Sequence, residues 1–214
     1  MIATLLLLIP FIGALALLLL RPAQARPIAL ATTLVSLAVV LYAWVGFTGG
    51  TVLHHDHDWA TAWGLRLVLG YDGVGLLMLI LAAVVFPFIV AAGYGQPEDR
   101  PARFNALLLL TQCFLFGVFL AQNAVLFYIF YELTLIPVFF MLLYWGGADR
   151  RAITVRFFIY TLLGGLSLLF GIVYLLVSNG GNGDLGALAA LNLPADTQVW
   201  LFWALFLAFA IKLP

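Results

Sequence analysis

The stretch that decides the fold is residues 124–144, AVLFYIFYELTLIPVFFMLLY, a run in which Glu132 is the one charged side chain. A helix rises about 1.5 Å per residue, so a run of this length crosses a hydrocarbon core of ~30 Å. Glu132 then lies roughly 12 Å from one end of the span. A charge at that depth costs about 3 kcal/mol or more, and intramembrane carboxylates generally face a partner, a cavity or a proton path. We therefore interpret Glu132 as a functional residue.

The composition of the whole chain indicates a polytopic membrane protein. Hydrophobic residues make up 65% of its 214 residues and charged residues 8%, and the mean hydropathy is +1.16. Such values lie far from those of a soluble domain. The formal net charge is zero, so nothing indicates binding to nucleic acid. We expect an all-α fold, a bundle of transmembrane helices surrounded by the lipid bilayer.

Residue types that hold redox centres are scarce. Cys113 is the single cysteine, and one thiolate cannot hold an iron-sulfur cluster or complete a zinc site by itself. The three histidines, His54, His55 and His57, lie together outside the apolar runs, so no intramembrane histidine is available as a haem ligand. We expect no metal and no cofactor in this chain, and a solvated outer loop for residues 54–58.

Seven stretches are long and apolar enough to be read as membrane spans. They are 2–20, 27–47, 72–93, 105–121, 124–144, 153–177 and 199 onward. We divide the chain into residues 1–71, two spans with an outer loop, and 72–214, the start of a membrane core. The last stretch contains about 16 residues, fewer than a crossing requires, so we expect the chain to be the amino-terminal part of a longer protein.

The arginines alternate between the two sides of the predicted bundle. The loops after the first, third and fifth spans carry most of them: Arg21, Arg26, Arg100, Arg103, Arg150 and Arg151. The opposite loops carry Arg66 alone. The positive-inside rule places the arginine-rich loops in the cytoplasm and the amino terminus outside. We expect a multi-pass protein of a bacterial cytoplasmic membrane.

Lys212 is the single lysine, and it too lies within an apolar stretch. Counted along their helices, Lys212 lies roughly 21 Å and Glu132 roughly 14 Å from the outer surface, so both reach the middle of the bilayer. A buried carboxylate and a buried ammonium each favour the charged form when they approach each other. The two residues are candidates for proton transfer. The alternative is a static ion pair that clamps two helices.

A proline follows each of these residues. Pro137 lies five positions after Glu132, and Pro214 lies two positions after Lys212. Proline has no N–H to donate, so each leaves a carbonyl of the preceding turn without its helical partner. Broken helices at the bilayer midplane line hydrated cavities in many ion-translocating proteins. A kink that serves packing alone is the other interpretation.

Several motifs together resemble a known family. They are 127–137 (FYIFYELTLIP), 144–147 (YWGG), 157–161 (FFIYT) and 208–214 (AFAIKLP). They are similar to the antiporter-like subunit M, or chain 4, of respiratory complex I, the proton-pumping NADH:quinone oxidoreductase. The resemblance runs from about Asp72 onward.

The resemblance implies a fold of about fourteen helices, of which this chain holds about seven, with a broken seventh helix. It also implies that Glu132 and Lys212 form the first part of a proton channel. Pro137 and Pro214 are expected to be structural residues of that site, because of the breaks described above. The implied partners are the other membrane subunits of complex I, including sister antiporter-like subunits. Flavin, iron-sulfur clusters, NADH and quinone would be bound by partner subunits.

Two other interpretations remain open beside a proton-translocating subunit of complex I. One is a subunit of a multisubunit sodium/proton antiporter or of a membrane-bound hydrogenase or ferredoxin-linked complex, since these contain related chains. The other is an inert helical scaffold, in which Glu132→Gln would leave pumping unchanged. The alternation around Trp63, Leu65, Arg66, Leu67 and Leu69 predicts a short outer strand, and Asp72 is predicted as a helix start.

Overall fold

The computed structural model describes residues 2–19, 24–60, 65–94 and 99–213. Nine helices occupy most of this part of the chain. They are α1 (Ile2–Leu19), α2 (Ala25–Val45), α3 (Gly73–Ala92), α4 (Pro101–Leu120), α5 (Ala124–Leu133), α6 (Leu135–Trp145), α7 (Arg150–Ser178), α8 (Leu185–Ala189) and α9 (Ala195–Ala210). Two strands, β1 (Val52–Ala60) and β2 (Leu65–Tyr71), lie between α2 and α3.

The predicted all-α membrane bundle is confirmed. Six helical segments in the described ranges are long and apolar enough to cross a membrane, counting α5 and α6 as one span, Ala124–Trp145. The seventh apolar helix, α9, contains 16 residues, shorter than a full crossing. Large apolar side chains on these helices are exposed, Leu19 by 87% and Val45 by 84%. Such surfaces suit lipid rather than water.

Capping residues mark the starts of two of the helices. Asp72 precedes α3, and its carboxylate accepts a hydrogen bond from the backbone N–H of Gly75 at 2.7 Å, which confirms the predicted helix start. Asn123 precedes α5, and its side-chain oxygen accepts from the N–H groups of Val125 and Leu126 at 3.0 and 3.3 Å. These caps satisfy donors that a helix leaves unpaired at its start.

The helices pack around three apolar clusters. The first joins α1–α5 near the strands and includes Leu6, Leu79 and Phe116. The second lies between α1, α2, α3 and α4, where Leu17 and Leu109 are buried. The third joins α5, α7 and α9, and it carries the site described below.

The segment predicted as a solvated outer loop is instead a strand. Residues 54–58 lie in β1, which pairs antiparallel with β2, for example His55 with Leu69 and His57 with Leu67. The ring of His54 packs against Tyr71 at a centroid distance of 5.2 Å. A polar run without hydrophobic alternation gives no local strand signal, so the pairing with β2 decides its conformation. The strand predicted near Leu65–Leu69 is confirmed as β2, whereas Trp63 lies outside the described residues.

An ion-pair network connects this hairpin to a distant loop. The Arg66 guanidinium donates to Asp56 at 2.6 Å and to Asp184, just before α8, at 2.7 Å. Asp184 lies in the stretch that leads from α7 to α9. The hairpin therefore helps to place the start of the α8–α9 region over the bundle, although partly exposed pairs of this kind add little stability each.

Candidate functional site

Glu132 lies next to the end of a helix that is interrupted in the middle of its span. α5 ends at Leu133, and α6 begins at Leu135. The hydroxyl of Thr134 donates to the carbonyl of Tyr131 at 2.7 Å. Pro137 lies buried in the first turn of α6 and has no N–H with which to continue the ladder. The interruption sits directly beside the carboxylate.

The carboxylate of Glu132 is directed towards α7. It lies against Gly165, and a methyl group at position 165 would overlap its Oε1 atom. Glu132 itself is half-buried. Any side chain at residue 165 would therefore displace the carboxylate from this position. The absence of a side chain at Gly165 thus leaves the space that the Glu132 carboxylate occupies.

Lys212 follows the last regular turn of α9. The helix ends at Ala210, and the next two residues are held by bonds to the third residue before them, from Lys212 N–H to Phe209 O at 3.1 Å and from Leu213 N–H to Ala210 O at 3.2 Å. Such tighter turns are common at helix ends. Pro214 lies outside the described residues, so its predicted effect on this helix stays a prediction.

Tyr131 connects α5, the helix that carries Glu132, to Lys212. Its side chain is buried, with 7% of the residue exposed. The Lys212 ammonium lies 3.4 Å from the centroid of its ring, and its hydroxyl donates to the carbonyl of Ala208 at 3.2 Å. Edge-on contact with Phe209 holds the ring from the α9 side, with centroids 6.3 Å apart. A cation over an aromatic face is stabilised by about 2 kcal/mol where water is excluded.

Sequence reasoning missed Tyr131, although the residue is adjacent to Glu132. Successive residues in a helix point about 100° apart, so Tyr131 reaches α9 while Glu132 reaches α7. The Glu132 carboxylate therefore lies against α7, whereas the Lys212 ammonium lies over the Tyr131 ring. Within the described residues, no ion pair of 4.0 Å or less joins Glu132 to Lys212.

Glycine and serine on α7 allow α9 to approach closely. A methyl group at Gly164 would lie 3.3 Å from Ile211 Cδ1, and one at Gly171 would lie 3.1 Å from Leu205 Cδ2. The Ser167 hydroxyl donates to the carbonyl of Ala204 on α9 at 2.8 Å. Small residues of this kind are typical of close helix interfaces in membranes. They hold α9, the helix that leads to Lys212, close against α7.

A cavity of about 470 Å³ opens beside Lys212. Its lining residues come from α6, α7, the Thr134 break and the end of α9: Thr134, Leu135, Val138, Phe157, Thr161, Ile211, Lys212 and Leu213. The hydroxyls of Thr134 and Thr161 each donate to a backbone carbonyl, at 2.7 Å in both cases, and keep lone pairs that can accept. The volume accommodates several water molecules next to the ammonium.

The site contains a carboxyl group, Glu132, and an amino group, Lys212, within the membrane span. The Tyr131 ring contacts the ammonium, and the cavity beside Lys212 has room for water. These are the components that a proton-transfer step requires. Of the residues predicted from the sequence, Glu132 lies against α7, Pro137 lies in the first turn of α6, and Lys212 lies at the end of α9 over Tyr131. The residues that the sequence did not single out are Tyr131, Thr134 and Thr161.

Comparisons with known proteins identify the family to which this sequence is similar. Residues 121–214 match the NADH:quinone oxidoreductase/Mrp antiporter transmembrane family. The chain is 32% identical to F(420)H(2) dehydrogenase subunit M of Methanosarcina mazei over 225 aligned residues, which cover 100% of this chain and 46% of that protein. It is also 32% identical to NADH-quinone oxidoreductase subunit M of Rhodobacter capsulatus, over 89% of this chain and 40% of the relative.

The fold is also similar to that of a chain in a solved structure. The structure titled respiratory complex I from Thermus thermophilus with bound NADH contains a chain that superposes with a TM-score of 0.86 at 29% identity, over 99% of this chain and 44% of that one. The chain thus spans less than half the length of these relatives. The predicted resemblance is confirmed: residues 121–214 match the NADH:quinone oxidoreductase/Mrp antiporter family, and the whole chain is similar to part of its antiporter-like membrane subunits.

Proposed function

We propose that this chain is a proton-translocating subunit of a complex I-type NADH:quinone oxidoreductase, and that Glu132 and Lys212 pass protons through the membrane. The observation that carries the proposal is the position of the Lys212 ammonium, 3.4 Å from the Tyr131 ring centroid, with Glu132 as the next residue in the same helix. The cation and the carboxylate are close enough in the fold for one to sense the other, yet they are not locked in a contact ion pair.

The site can act as an electrostatic switch. A carboxylate near an ammonium favours the protonated, charged lysine, and a carboxylate that is neutralised or moved away favours its release of a proton. Rearrangement elsewhere in the complex would change the separation of Glu132 and Lys212. Movement about the Thr134 break in α5–α6 provides the flexible point, and the cavity beside Lys212 provides the water through which the proton leaves.

The chain supplies the membrane path, and partner subunits supply the electron chemistry. In this proposal flavin, iron-sulfur clusters, NADH and quinone are bound by those partners, which include sister antiporter-like subunits. In this proposal the protein lies in a bacterial cytoplasmic membrane. The clustering of Arg100, Arg103, Arg150 and Arg151 at one end of the bundle supports an orientation with the amino terminus outside, because basic loops stay in the cytoplasm.

A second candidate function is supported by the family match itself, which includes Mrp antiporters. A subunit of a multisubunit sodium/proton antiporter would use the same Glu132 and Lys212 without any redox partner. The similarity to an F(420)H(2) dehydrogenase subunit also allows an electron donor other than NADH. The chemistry of this chain's own site is the same in these cases, and the partners differ.

The test is proton transport by the assembled complex in proteoliposomes. Glu132→Gln and Lys212→Met should each abolish most of the acidification driven by the electron donor and quinone. Asp196→Asn is the matched control, because Asp196 is an exposed carboxylate in the first turn of α9, away from the site. Pumping that survives both site variants unchanged would contradict the proposal. Flavin and iron-sulfur absorbance of the purified complex separates the redox enzyme from the antiporter.

A further inference from the structure

A second cavity, of about 680 Å³, lies at the arginine-bearing end of the bundle, away from Glu132 and Lys212. Its walls come from the end of α1, the start of α4, the end of α6 and the start of α7. The lining residues are Leu18, Asp99, Arg100, Arg103, Ala106, Leu107, Leu110, Phe140, Leu143, Tyr144, Trp145, Arg150 and Arg151. Four of the eight arginines of the chain therefore meet at one cavity.

The charge at this cavity is largely uncompensated. Four arginines and one aspartate give the lining a formal charge of +3. Arg100 has an exposed and loose contact with Asp99, with Nε and Oδ2 3.8 Å apart. Arg103, Arg150 and Arg151 have no ion-pair partner within 4.0 Å among the described residues. α4 and α7 both begin here, and helix starts carry a partial positive charge of their own.

The cavity is amphipathic along the membrane normal. Arg103 and Leu110 are seven positions apart on α4, which separates them by roughly 10 Å along the helix axis. The arginines lie at the helix ends, and Leu107, Leu110 and Phe140 lie deeper in the span. A ligand that fits has an anionic group at the membrane surface and an apolar chain that runs into the hydrocarbon layer.

The walls of the cavity are held in place by specific contacts. The indole N–H of Trp145 donates to the carbonyl of Asp99 at 2.7 Å, and its ring meets Phe104 edge-on with centroids 5.4 Å apart. Tyr144 stacks on Phe140 at 6.2 Å. Tyrosine and tryptophan are common at the level of lipid headgroups. The end of α6 is thereby tied to the start of α4, and the cavity between them is preformed.

We propose that this cavity binds an anionic phospholipid, with the phosphate among Arg103, Arg150 and Arg151 and one acyl chain along Leu107 and Leu110. Basic pockets between transmembrane helices are recognised binding sites for acidic headgroups. A soluble anion would use the arginines and leave the apolar wall without a function. An acidic peptide would leave its charged side chains against Leu110 and Phe140 inside the span, which is costly.

The experiment measures lipid retention by the full chain with native mass spectrometry. The chain is delipidated in mild detergent and titrated with dioleoyl-phosphatidylglycerol and, separately, dioleoyl-phosphatidylcholine, which share the same acyl chains. We expect tighter binding of phosphatidylglycerol. Each of Arg103→Gln and Arg151→Gln should weaken it about fivefold, since one basic residue near a membrane surface contributes about that factor.

The controls separate charge, fold and ligand source. Arg156→Gln removes the same charge from an exposed residue of α7 that does not line the cavity, and it should leave binding unchanged. Arg103→Lys should retain most of the affinity if the fold is intact. Inorganic phosphate in excess should not displace the lipid, because it lacks the chain that fills the apolar wall.

Three results would overturn the proposal. Equal affinity for the two lipids would mean that the arginines do not recognise an anionic headgroup. An equal loss in Arg103→Gln and Arg156→Gln would reduce the effect to general surface charge. Complete displacement by inorganic phosphate would make the site one for a soluble anion. None of these outcomes depends on whether Glu132 and Lys212 move protons.

Discussion

The ammonium of Lys212 lies 3.4 Å from the centroid of the Tyr131 ring, while the carboxylate of Glu132, the next residue in α5, lies against Gly165. One helix therefore presents two neighbouring side chains to two different helices. Tyr131 holds the end of α9, and Glu132 occupies the space left by a glycine of α7. The relative position of the charges depends on how α7 and α9 sit on α5.

The cation–π contact between Lys212 and Tyr131 can be tested by substituting Tyr131. Tyr131→Phe keeps the ring and removes the hydroxyl that donates to Ala208, so pumping should fall little. Tyr131→Leu removes the cation–π contact, and we expect a decrease of about tenfold, the equivalent of about 1–2 kcal/mol. The measurement is acidification by the complex in proteoliposomes. Equal activity of the Leu and Phe variants would show that the ring has no role in holding the cation.

The position of the Glu132 carboxylate can be tested by substituting Gly165. Gly165→Ala places a methyl group where Oε1 now lies, so it should displace the carboxylate and reduce proton pumping several-fold. Shortening the acid in the double variant Gly165→Ala/Glu132→Asp should restore part of the activity, because the overlap is relieved. The control is Gly186→Ala, where a Cβ would meet no atom within 4 Å. A double variant no better than the single one would contradict this account.

The start of α5 depends on Asn123. This residue is fully buried, and its side-chain oxygen caps two N–H groups of α5. Asn123→Ala should lower the free energy of unfolding by about 1–2 kcal/mol, the usual effect of losing such a cap. Thermal unfolding followed by tryptophan fluorescence measures it. Asn192→Ala, at an exposed loop position, should change the midpoint little; similar shifts in the two variants would rule out the cap as the cause.

The hairpin outside the membrane should be sensitive to acid through His54. Burial against Tyr71 lowers the pKa of His54 below its ordinary value of about 6.5. At pH 8 the imidazole is neutral in both the folded and unfolded states, so it has no effect on stability there. As the pH falls below about 6.5 the unfolded state binds the proton first, and stability is lost until the pH reaches the lower, folded pKa.

The measurement for His54 is the melting temperature between pH 8 and pH 5, compared with His54→Phe. The variant keeps an aromatic ring beside Tyr71 and cannot be protonated, so its stability should fall less over this interval. His57→Phe is the control, since His57 is exposed on the same strand. The same pH dependence in wild type and His54→Phe would show that other groups cause the acid sensitivity.

The membrane spans could be predicted from the sequence, and Glu132 and Lys212 could be selected as candidates, because the physical causes are local. A run of apolar residues long enough to cross the bilayer must form a helix there, since its backbone polar groups have no water to bind. Pro137 likewise interrupts its own helix through its missing N–H, and the interruption appears at Thr134. A lone charged residue in such a run, such as Glu132 or Lys212, can be recognised in the sequence because a charge in the hydrocarbon layer costs free energy.

The tertiary structure alone decided which groups meet. That Tyr131 contacts Lys212, that Gly165 makes room for Glu132 and that residues 54–58 pair with β2 are contacts between positions far apart in the chain. The four arginines that line one cavity likewise come from separate parts of the chain. Local pattern gives the direction of a side chain on its helix, but not the helix that faces it; that depends on how all the surfaces pack together at once.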